Sequence, residues 1–245
     1  MKIKLFVFAA LISFLNLKGQ NEFRISLNSG LFSYSGKAAN GTSEIFIYDN
    51  ETSGFTLDPY GSNGALCYGL SLNFKSITKK NLVLGFDTGY EILRSSVSIN
   101  KLLNVRVSIT PGGFPSPSMD ALAVGETIVT NSVINLNPFI GKRFKSKNIS
   151  VDVVGGFDVC YILKSREKGE AHVNGNSPYK YETSRNIKTI NFDFRPRIQI
   201  SLDVNKIGFY LGYSHGIVSH VAENDNINSD VRSRFIRFGL TGKIF

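Results

Sequence analysis

The sequence lacks several residue types and patterns that would point to a cofactor or a metal. It contains no tryptophan, two cysteines, two methionines and three histidines. No spacing of histidine, cysteine or acidic residues matches a metal site. The GGF run at 112–114 lies among prolines with no helix signal after it, unlike a phosphate-binding loop. We therefore expect no cofactor and no metal.

The few histidines do not suggest catalysis either. His172 lies in a predicted loop. Ser214–His215 and Ser219–His220 are sequence neighbours, and neighbours in a strand point to opposite faces, so neither pair forms a nucleophile–base contact by itself. We predict no catalytic residues and a protein that is not an enzyme.

A long hydrophobic run is also missing. The one continuously apolar segment, Leu5–Leu17, has 13 residues, whereas a membrane-spanning helix needs about 20. Two lysines precede this segment and a glycine follows it, which is the arrangement of a secretory signal peptide. We predict that residues 1–19 are a cleaved signal peptide and that 20–245 form a single exported domain.

What the sequence does contain is strict alternation of apolar and polar residues. From Ile190 to Val204 the even positions are apolar or proline, and the odd positions carry charged or polar side chains. A period of two is typical of β-strands with two chemically different faces. We predict eight strands, at 21–33, 65–75, 81–93, 127–143, 148–163, 190–204, 206–216 and 232–245.

The predicted connections alternate in length. Three are short, at 76–80, at 145–147 and around Asn205, and four are long, at roughly 34–64, 94–126, 164–187 and 217–231. Short turns at one end and long loops at the other are typical of bacterial outer-membrane barrels. We predict an all-β fold, an eight-stranded antiparallel transmembrane β-barrel with short periplasmic turns and long extracellular loops. The opposite parity of Val129 and Val133 predicts a β-bulge in the fourth strand.

Alternation alone also fits a soluble, lipocalin-like barrel with its apolar face inward. Here the polar face is rich in glycine and in charges of both signs, which suits a crowded lumen where a buried charge needs a partner. We therefore predict that the apolar face meets lipid and that Arg195 and Arg197 pair with Asp158 and Asp152. The predicted ion-pair network of the lumen consists of Arg24, Asp87, Glu91, Asp152, Asp158, Asp193, Arg195, Arg197 and Arg237.

Aromatic residues mark the expected membrane boundaries. Tyr68, Tyr90, Tyr161 and Tyr213 have the parity of the lipid face and are predicted to form part of an interfacial girdle. The terminal Phe245 resembles the aromatic signal that barrel assembly machinery reads. Cys67 and Cys160 both have the parity of the lumen, three strands apart, and are predicted to be free thiols because a disulfide needs Cα atoms within about 7 Å.

Two stretches of the sequence resemble a known family. INLNPFIGKRF followed by NISVDVVGGFDVCYIL, and the tail FYLGYSHGIVSH with RFIRFGLTGKIF, are similar to the PorT-like outer-membrane β-barrel proteins of the Bacteroidetes type. The resemblance implies a Gram-negative outer-membrane location. Its name-giving member is tied to type IX secretion, so a secretion-system component is one alternative function.

Function is predicted only coarsely. We expect an integral outer-membrane protein with a plugged lumen, acting structurally or in binding through its loops or as a subunit of an envelope complex. A secretion component and an enzyme that modifies lipid A are the alternatives. The basic loop 164–187 suggests contact with lipopolysaccharide. The cations at the short turns suggest contact with anionic inner-leaflet headgroups; they are Lys75, Lys79, Lys80, Lys142, Arg143, Lys145 and Lys147. Barrel assembly machinery and an envelope protein are expected partners, and nucleic acid is not.

Overall fold

The computed structural model describes residues 19–48, 52–105, 119–173, 180–221 and 230–244. This part of the chain is all-β, as predicted, and it holds no helix long and apolar enough to cross a membrane. Eleven strands are present rather than the predicted eight. The strands are β1 (Gln20–Ser35), β2 (Thr42–Ile47), β3 (Ser53–Thr56), β4 (Asn63–Ile77), β5 (Leu82–Val105), β6 (Met119–Ser146), β7 (Ile149–Val173), β8 (Lys180–Asn186), β9 (Phe192–Val204), β10 (Ile207–His215) and β11 (Arg232–Lys243).

Eight of the strands pair side by side in a closed circle, which we call the main ring. The order is β1, β4, β5, β6, β7, β9, β10 and β11, and β11 returns to β1. Every pairing in the main ring is antiparallel. On β1, for example, Leu27 lies opposite Leu70 on one side and Leu240 on the other. These eight strands correspond to the eight segments that alternate in the sequence.

The three additional strands lie in segments predicted as loops, and this corrects the strand count. β2 pairs in parallel with β5, β3 pairs with β2, β8 pairs in parallel with β3, and β8 pairs with β7. The central strands β5, β6 and β7 are 24, 28 and 25 residues long, so they continue beyond the main ring. Their outer parts close a second circuit of six strands with β2, β3 and β8, which we call the extension.

At the opposite end, the main ring has only tight turns. Asn81, Lys147 and Asn205 adopt φ values of 61°, 46° and 56° in the turns after β4, β6 and β9, a conformation that asparagine tolerates better than most residues. The two ends of the main ring's chain also meet here, because Arg24 of β1 lies opposite Lys243 of β11. The predicted layout of short turns at one end is therefore present.

The two faces of the main ring differ in polarity. On β9, Ile198 and Ile200 expose 58% and 52% of their surface, while Arg195, which has the opposite parity on the same strand, is fully buried. Glycines inside the ring make room for aromatic side chains from neighbouring strands. A Cβ on Gly85 would lie 2.6 Å from the Phe139 ring, and one on Gly239 would lie 2.7 Å from the Tyr210 ring.

The interior of the extension has the opposite character. Its core is an apolar cluster that packs β2, β5, β6, β7 and β8 together, and the buried carboxylate of Glu167 lies on the same inward face of β7. A second apolar cluster, including Phe32, Tyr34, Tyr60 and Phe235, lies between this core and the charged interior of the main ring. The core of the extension consists of Ile45, Ile47, Val97, Ile99, Leu102, Val105, Ala123, Ala171 and Tyr181.

The predicted bulge lies on a different strand. Val129 and Val133 of β6 are buried and continue the inward parity of that strand without a break. Ser132 pairs with Lys164 and Val133 pairs with Ile162, which leaves Leu163 of β7 as the extra residue. The sequence pattern predicts a bulge in β6 because apolar residues change there from even to odd positions. In the structure, the inward face of β6 changes from polar to apolar without an irregularity, and the extra residue is in β7.

Candidate functional site

The nine residues predicted for the lumen network all point into the main ring and are at most 8% exposed. They come from five of the eight strands, β1, β5, β7, β9 and β11, so no pair of strands alone could assemble them. The ring brings them into three groups along its axis, one at the turn end, one in the centre and one at the mouth that faces the extension.

Asp158 is the hub of the central group. Its carboxylate lies 3.2 Å from Nη1 of Arg197 and 3.3 Å from Nη1 of Arg237. Nε of Arg195 lies 3.7 Å away on the same carboxylate. Three guanidinium groups around one buried carboxylate carry an excess of positive charge, so further acids must lie nearby.

Two of these arginines reach a second carboxylate. Nη2 of Arg237 lies 2.9 Å from Oε2 of Glu91, and Nη1 of Arg197 lies 3.1 Å from Oδ2 of Asp87. Tyr210 donates its hydroxyl proton to Oδ1 of Asn28 at 2.6 Å, which adds a neutral link across the ring. The centre of the main ring is therefore a continuous network of ion pairs and hydrogen bonds.

The turn-end group is built around Glu22 and Arg143. Arg143 donates from Nη1 to Glu22 at 2.8 Å and from Nε to Asp152 at 2.6 Å. Arg24 also contacts Glu22, at 3.0 Å, and Lys75 lies 2.8 Å from Asp152. The Asp152 carboxylate is therefore held by Arg143 and Lys75.

This geometry differs in part from the predicted pairing. Arg195 and Arg197 contact Asp158, as predicted, but Asp152 pairs with cations of the turn end instead. Lys75 and Arg143, which we expected in turns facing lipid headgroups, are buried in the interior. The network also includes Lys243, whose lumen parity the sequence indicates, and four members that sequence reasoning missed although they have inward parity: Glu22, Lys75, Arg143 and Asp203.

At the mouth, Asp193 accepts two contacts on one oxygen. Its Oδ2 lies 2.7 Å from the Ser233 hydroxyl and 3.2 Å from Nε2 of His220. Ser233 and His220 both contact the carboxylate of Asp193 and not each other, so the three side chains do not form a nucleophile–base pair with an orienting acid. Arg195 donates to the Cys160 sulfur. Cys160 and Cys67 are both buried free thiols.

These side chains fill the main ring. A cavity inside the main ring has a volume of about 10 Å³, the space of about one water molecule. Arg24, Lys75, Asp87, Arg197 and Tyr210 are among its walls. The ring therefore encloses a packed polar core.

Four predicted girdle tyrosines lie on the outer surface of the main ring. Tyr68, Tyr90, Tyr161 and Tyr213 are exposed over 55%, 46%, 43% and 43% of their surface. Phe245, the predicted assembly signal, lies outside the described residues, as does the predicted signal peptide apart from Gly19.

The extension contains a polar contact that sequence reasoning missed. Glu167 is fully buried and accepts the backbone N–H of Thr56 at 2.7 Å and Nε of Arg185 at 2.6 Å. Arg185 also lies over the Phe55 ring, 4.8 Å from its centroid. The short strand β3, paired to β8 through two residue pairs, is thus tied to β7 and β8 by one carboxylate.

The outer surface of the extension carries ion pairs, the exposed aliphatic residues Leu122 and Val124 of β6, and an aromatic area. Lys180 lies 2.7 Å from Glu170 and 3.1 Å from Glu182, which raises the pKa of the lysine and lowers the pKa of Glu170 through hydrogen bonding. On β2 and β3, Phe55 packs against Phe46 and Tyr48 at centroid distances of 5.5 and 5.9 Å. We call these three residues the aromatic face.

Comparison with known proteins adds no family. No family model and no curated protein matches the chain, so the resemblance to PorT-like proteins stays a prediction. Among solved structures, Neisserial surface protein A (NspA) is 10% identical over 91% of this chain and 97% of its own, with a TM-score of 0.40. Ail, the attachment invasion locus protein of Yersinia pestis, is 10% identical over 93% and 100%, with a TM-score of 0.33. The translocator domain of autotransporter NalP from Neisseria meningitidis is 10% identical over 98% and 95%, with a TM-score of 0.32. TM-scores below 0.5 assign neither a fold nor a role to this chain.

Proposed function

We propose that this chain is an integral outer-membrane protein whose main ring crosses the lipid with its apolar outer face. The observation that carries the proposal is the inversion of the main ring, with charges inside and large aliphatic side chains outside. On β9 the exposed apolar positions run from Phe192 to Val204. At about 3.3 Å per residue and a tilt of about 45°, that length spans roughly 28 Å, close to the ~25 Å apolar band of such barrels.

The orientation follows from the two ends of the ring. Barrels of this class place their termini and short turns in the periplasm. The extension, at the opposite end, then lies outside the cell. Its apolar core and charged surface are those of a protein region that is folded in water.

The role we propose is structural or in binding, with no enzymatic activity. A filled ring gives solutes no path, so the extension is the part available for contacts. The aromatic face is its binding surface in this proposal, since half-buried Phe46 and Phe55 and exposed Tyr48 form one aromatic cluster beside charged neighbours. An envelope protein is the proposed partner, and barrel assembly machinery acts during biogenesis.

Two alternatives stay distinct from this role. A secretion component, as the PorT-like resemblance implies, would co-purify with a translocation complex after mild crosslinking. An enzyme acting on lipid A would change the mass spectrum of lipid A between cells with and without the gene. The proposed role predicts neither result.

The first test combines gel mobility with surface labelling. Because a closed ring resists SDS, the unboiled protein should migrate differently from the boiled protein. Glu126→Cys on the extension and Lys79→Cys in a short turn are then treated on whole cells with a membrane-impermeant maleimide. Native Cys67 and Cys160 are buried, so background labelling should be low. We expect labelling at position 126 alone. Labelling at position 79 alone would show that the orientation is the reverse of the one proposed. A soluble protein with no mobility shift would overturn the proposal.

A further inference from the structure

Four cations lie together on the outer face of β5 and β7 where the extension begins. Arg94 of β5 pairs with Thr130 of β6, and Thr130 pairs with Arg166 of β7, so the three lie in one row across three strands. Lys164 and Lys168 flank Arg166 on the same face of β7. We call Arg94, Lys164, Arg166 and Lys168 the basic row.

The outward position of this row depends on the irregularity at Leu163. Up to Leu163 the odd residues of β7, such as Tyr161, face outward. The extra residue reverses the parity, so that Lys164, Arg166 and Lys168 are exposed while Ser165 and Glu167 are buried. One inserted residue therefore changes the outer face of β7 from apolar to basic within a single step of the chain.

The basic row adjoins the edge of the apolar band. On β7, the half-exposed Leu163 directly precedes Lys164. On β5, Tyr90, Ile92 and Arg94 follow one another on the outward face. With the main ring in the membrane, the row lies at the level of the outer headgroups. Arginine and lysine beside an interfacial tyrosine are well placed to extend into that layer.

The cations of the row differ from those farther out in their partners. In the described part of the chain, none of the four pairs with a carboxylate within salt-bridge distance; Arg166 donates to the Ser184 hydroxyl at 2.9 Å. Farther along the same strands, Lys101 lies 2.8 Å from Asp120, and Lys180 contacts Glu170 and Glu182. Among the described residues, the cations of the basic row therefore differ from Lys101 and Lys180 in having no acidic partner from the extension.

The spacing suits a phosphate group. Strands in a sheet are about 4.8 Å apart, so the backbones of Arg94 and Arg166 are roughly 10 Å apart, with Thr130 between them. Two arginine side chains can converge over that distance, and the hydroxyl of Thr130 is a third donor. Guanidinium groups bind phosphate with paired, charge-assisted hydrogen bonds.

We infer that the basic row binds the phosphate of an anionic glycolipid of the outer leaflet, lipid A being the chemical class. The acyl chains would lie against the apolar band beside Tyr90, Ile134 and Tyr161, which are each exposed. This inference rests on the proposed membrane location and orientation, because only then does the row meet outer-leaflet headgroups. It gives the ring a specific lipid ligand at one side of its outer edge.

The test measures lipid retention by the full chain in mild detergent. Native mass spectrometry compares wild type with R94Q/K164Q/R166Q, using diphosphorylated lipid A and the same lipid after removal of its phosphates. The control variant, K79Q/K80Q/K206Q, loses the same charge from the short turns. Each cation near the membrane surface contributes about 1 kcal/mol of attraction to anionic lipid. The first variant should therefore retain the phosphorylated lipid roughly 10- to 100-fold less well than wild type. The control should match wild type, and the dephosphorylated lipid should bind both weakly.

Three results would overturn the inference: equal retention by the two variants, equal binding of the dephosphorylated lipid, or full competition by millimolar inorganic phosphate. Each protein is first checked for the gel-mobility shift. A shift with no selective lipid binding refutes the basic row while leaving the membrane location intact, whereas loss of the shift in wild type refutes the location itself. If the triple variant does not fold, the single change Lys164→Gln, at an exposed position, replaces it.

Discussion

The main ring and the extension are built from the same three long strands, yet they are opposite in polarity. On β6, the inward residues Asn137 and Asn135 lie in the polar core of the ring, and the inward residues Val129 and Ala123 lie in or near the apolar core of the extension. The outward residues change from aliphatic side chains such as Ile134 to a mixture in which Asp120 and Glu126 alternate with the exposed Leu122 and Val124. The strand keeps one parity throughout, and only the chemistry of its two faces is exchanged.

This difference teaches that alternation defines a strand but not its surroundings. A polar interior with an apolar exterior is stable where the solvent is hydrocarbon, and an apolar interior with a charged exterior is stable where the solvent is water. In the proposed membrane location, the crossover near Ser132 and Leu163 marks the boundary between the two solvents. The predictions below change one region and use the other as the reference.

The largest effect is expected from the hub of the main ring. Asp158→Ala leaves Arg197 and Arg237 without a shared carboxylate in a buried site. Removing one partner of a buried ion pair costs about 3–5 kcal/mol, so the variant should lose its gel-mobility shift at a much lower urea concentration. Asp120→Asn breaks the exposed Lys101 pair of the extension and should shift the midpoint little. Equal midpoints for the two variants would contradict the proposed network.

A smaller effect is expected on the outer face. Ile200→Arg places a charge in the apolar band of β9 and should cost about 2–4 kcal/mol near the membrane centre, measured as unfolding from lipid vesicles. Ser98→Arg, on the exposed face of β5 in the extension, introduces the same side chain into water and should be nearly neutral. If both changes were neutral in vesicles, the main ring would not face lipid at Ile200.

The smallest effect concerns pH and the extension. Hydrogen bonding to Lys180 holds the pKa of Glu170 below its usual value of 4.5. A lowered carboxyl pKa contributes stability that is present above pH 4.5 and is lost as the pH falls through the lowered value. Hydrogen exchange of β8 should therefore speed up modestly in that acid range and in high salt. Glu170→Gln should remove this dependence, and an unchanged acid response in the variant would contradict the assignment.

Parity in the sequence was sufficient to identify the strands of the main ring and the inward side of most charges. It failed in segments where the alternation is between charged and small residues. KSREKGEAHV, residues 164–173, alternates as regularly as any strand, but its polar composition was interpreted as a loop. Propensity-based reasoning penalises such segments because it expects an apolar face, and here the inward face consists of Ser165, Glu167, Gly169 and Ala171.

Local sequence by itself determined that the chain forms strands, which side chains share a face, and that the inner face of the ring carries both signs of charge. These properties depend only on the two-residue period of a strand. Tertiary structure decided which charges meet across the ring, because Asp152 reaches Lys75 of β4 through the lumen, whereas its pairing with Arg143 follows from the register of the β6–β7 hairpin. It also decided where the faces exchange, since the extra residue at Leu163 and the parallel pairing of β2 with β5 depend on neighbours that no single segment specifies.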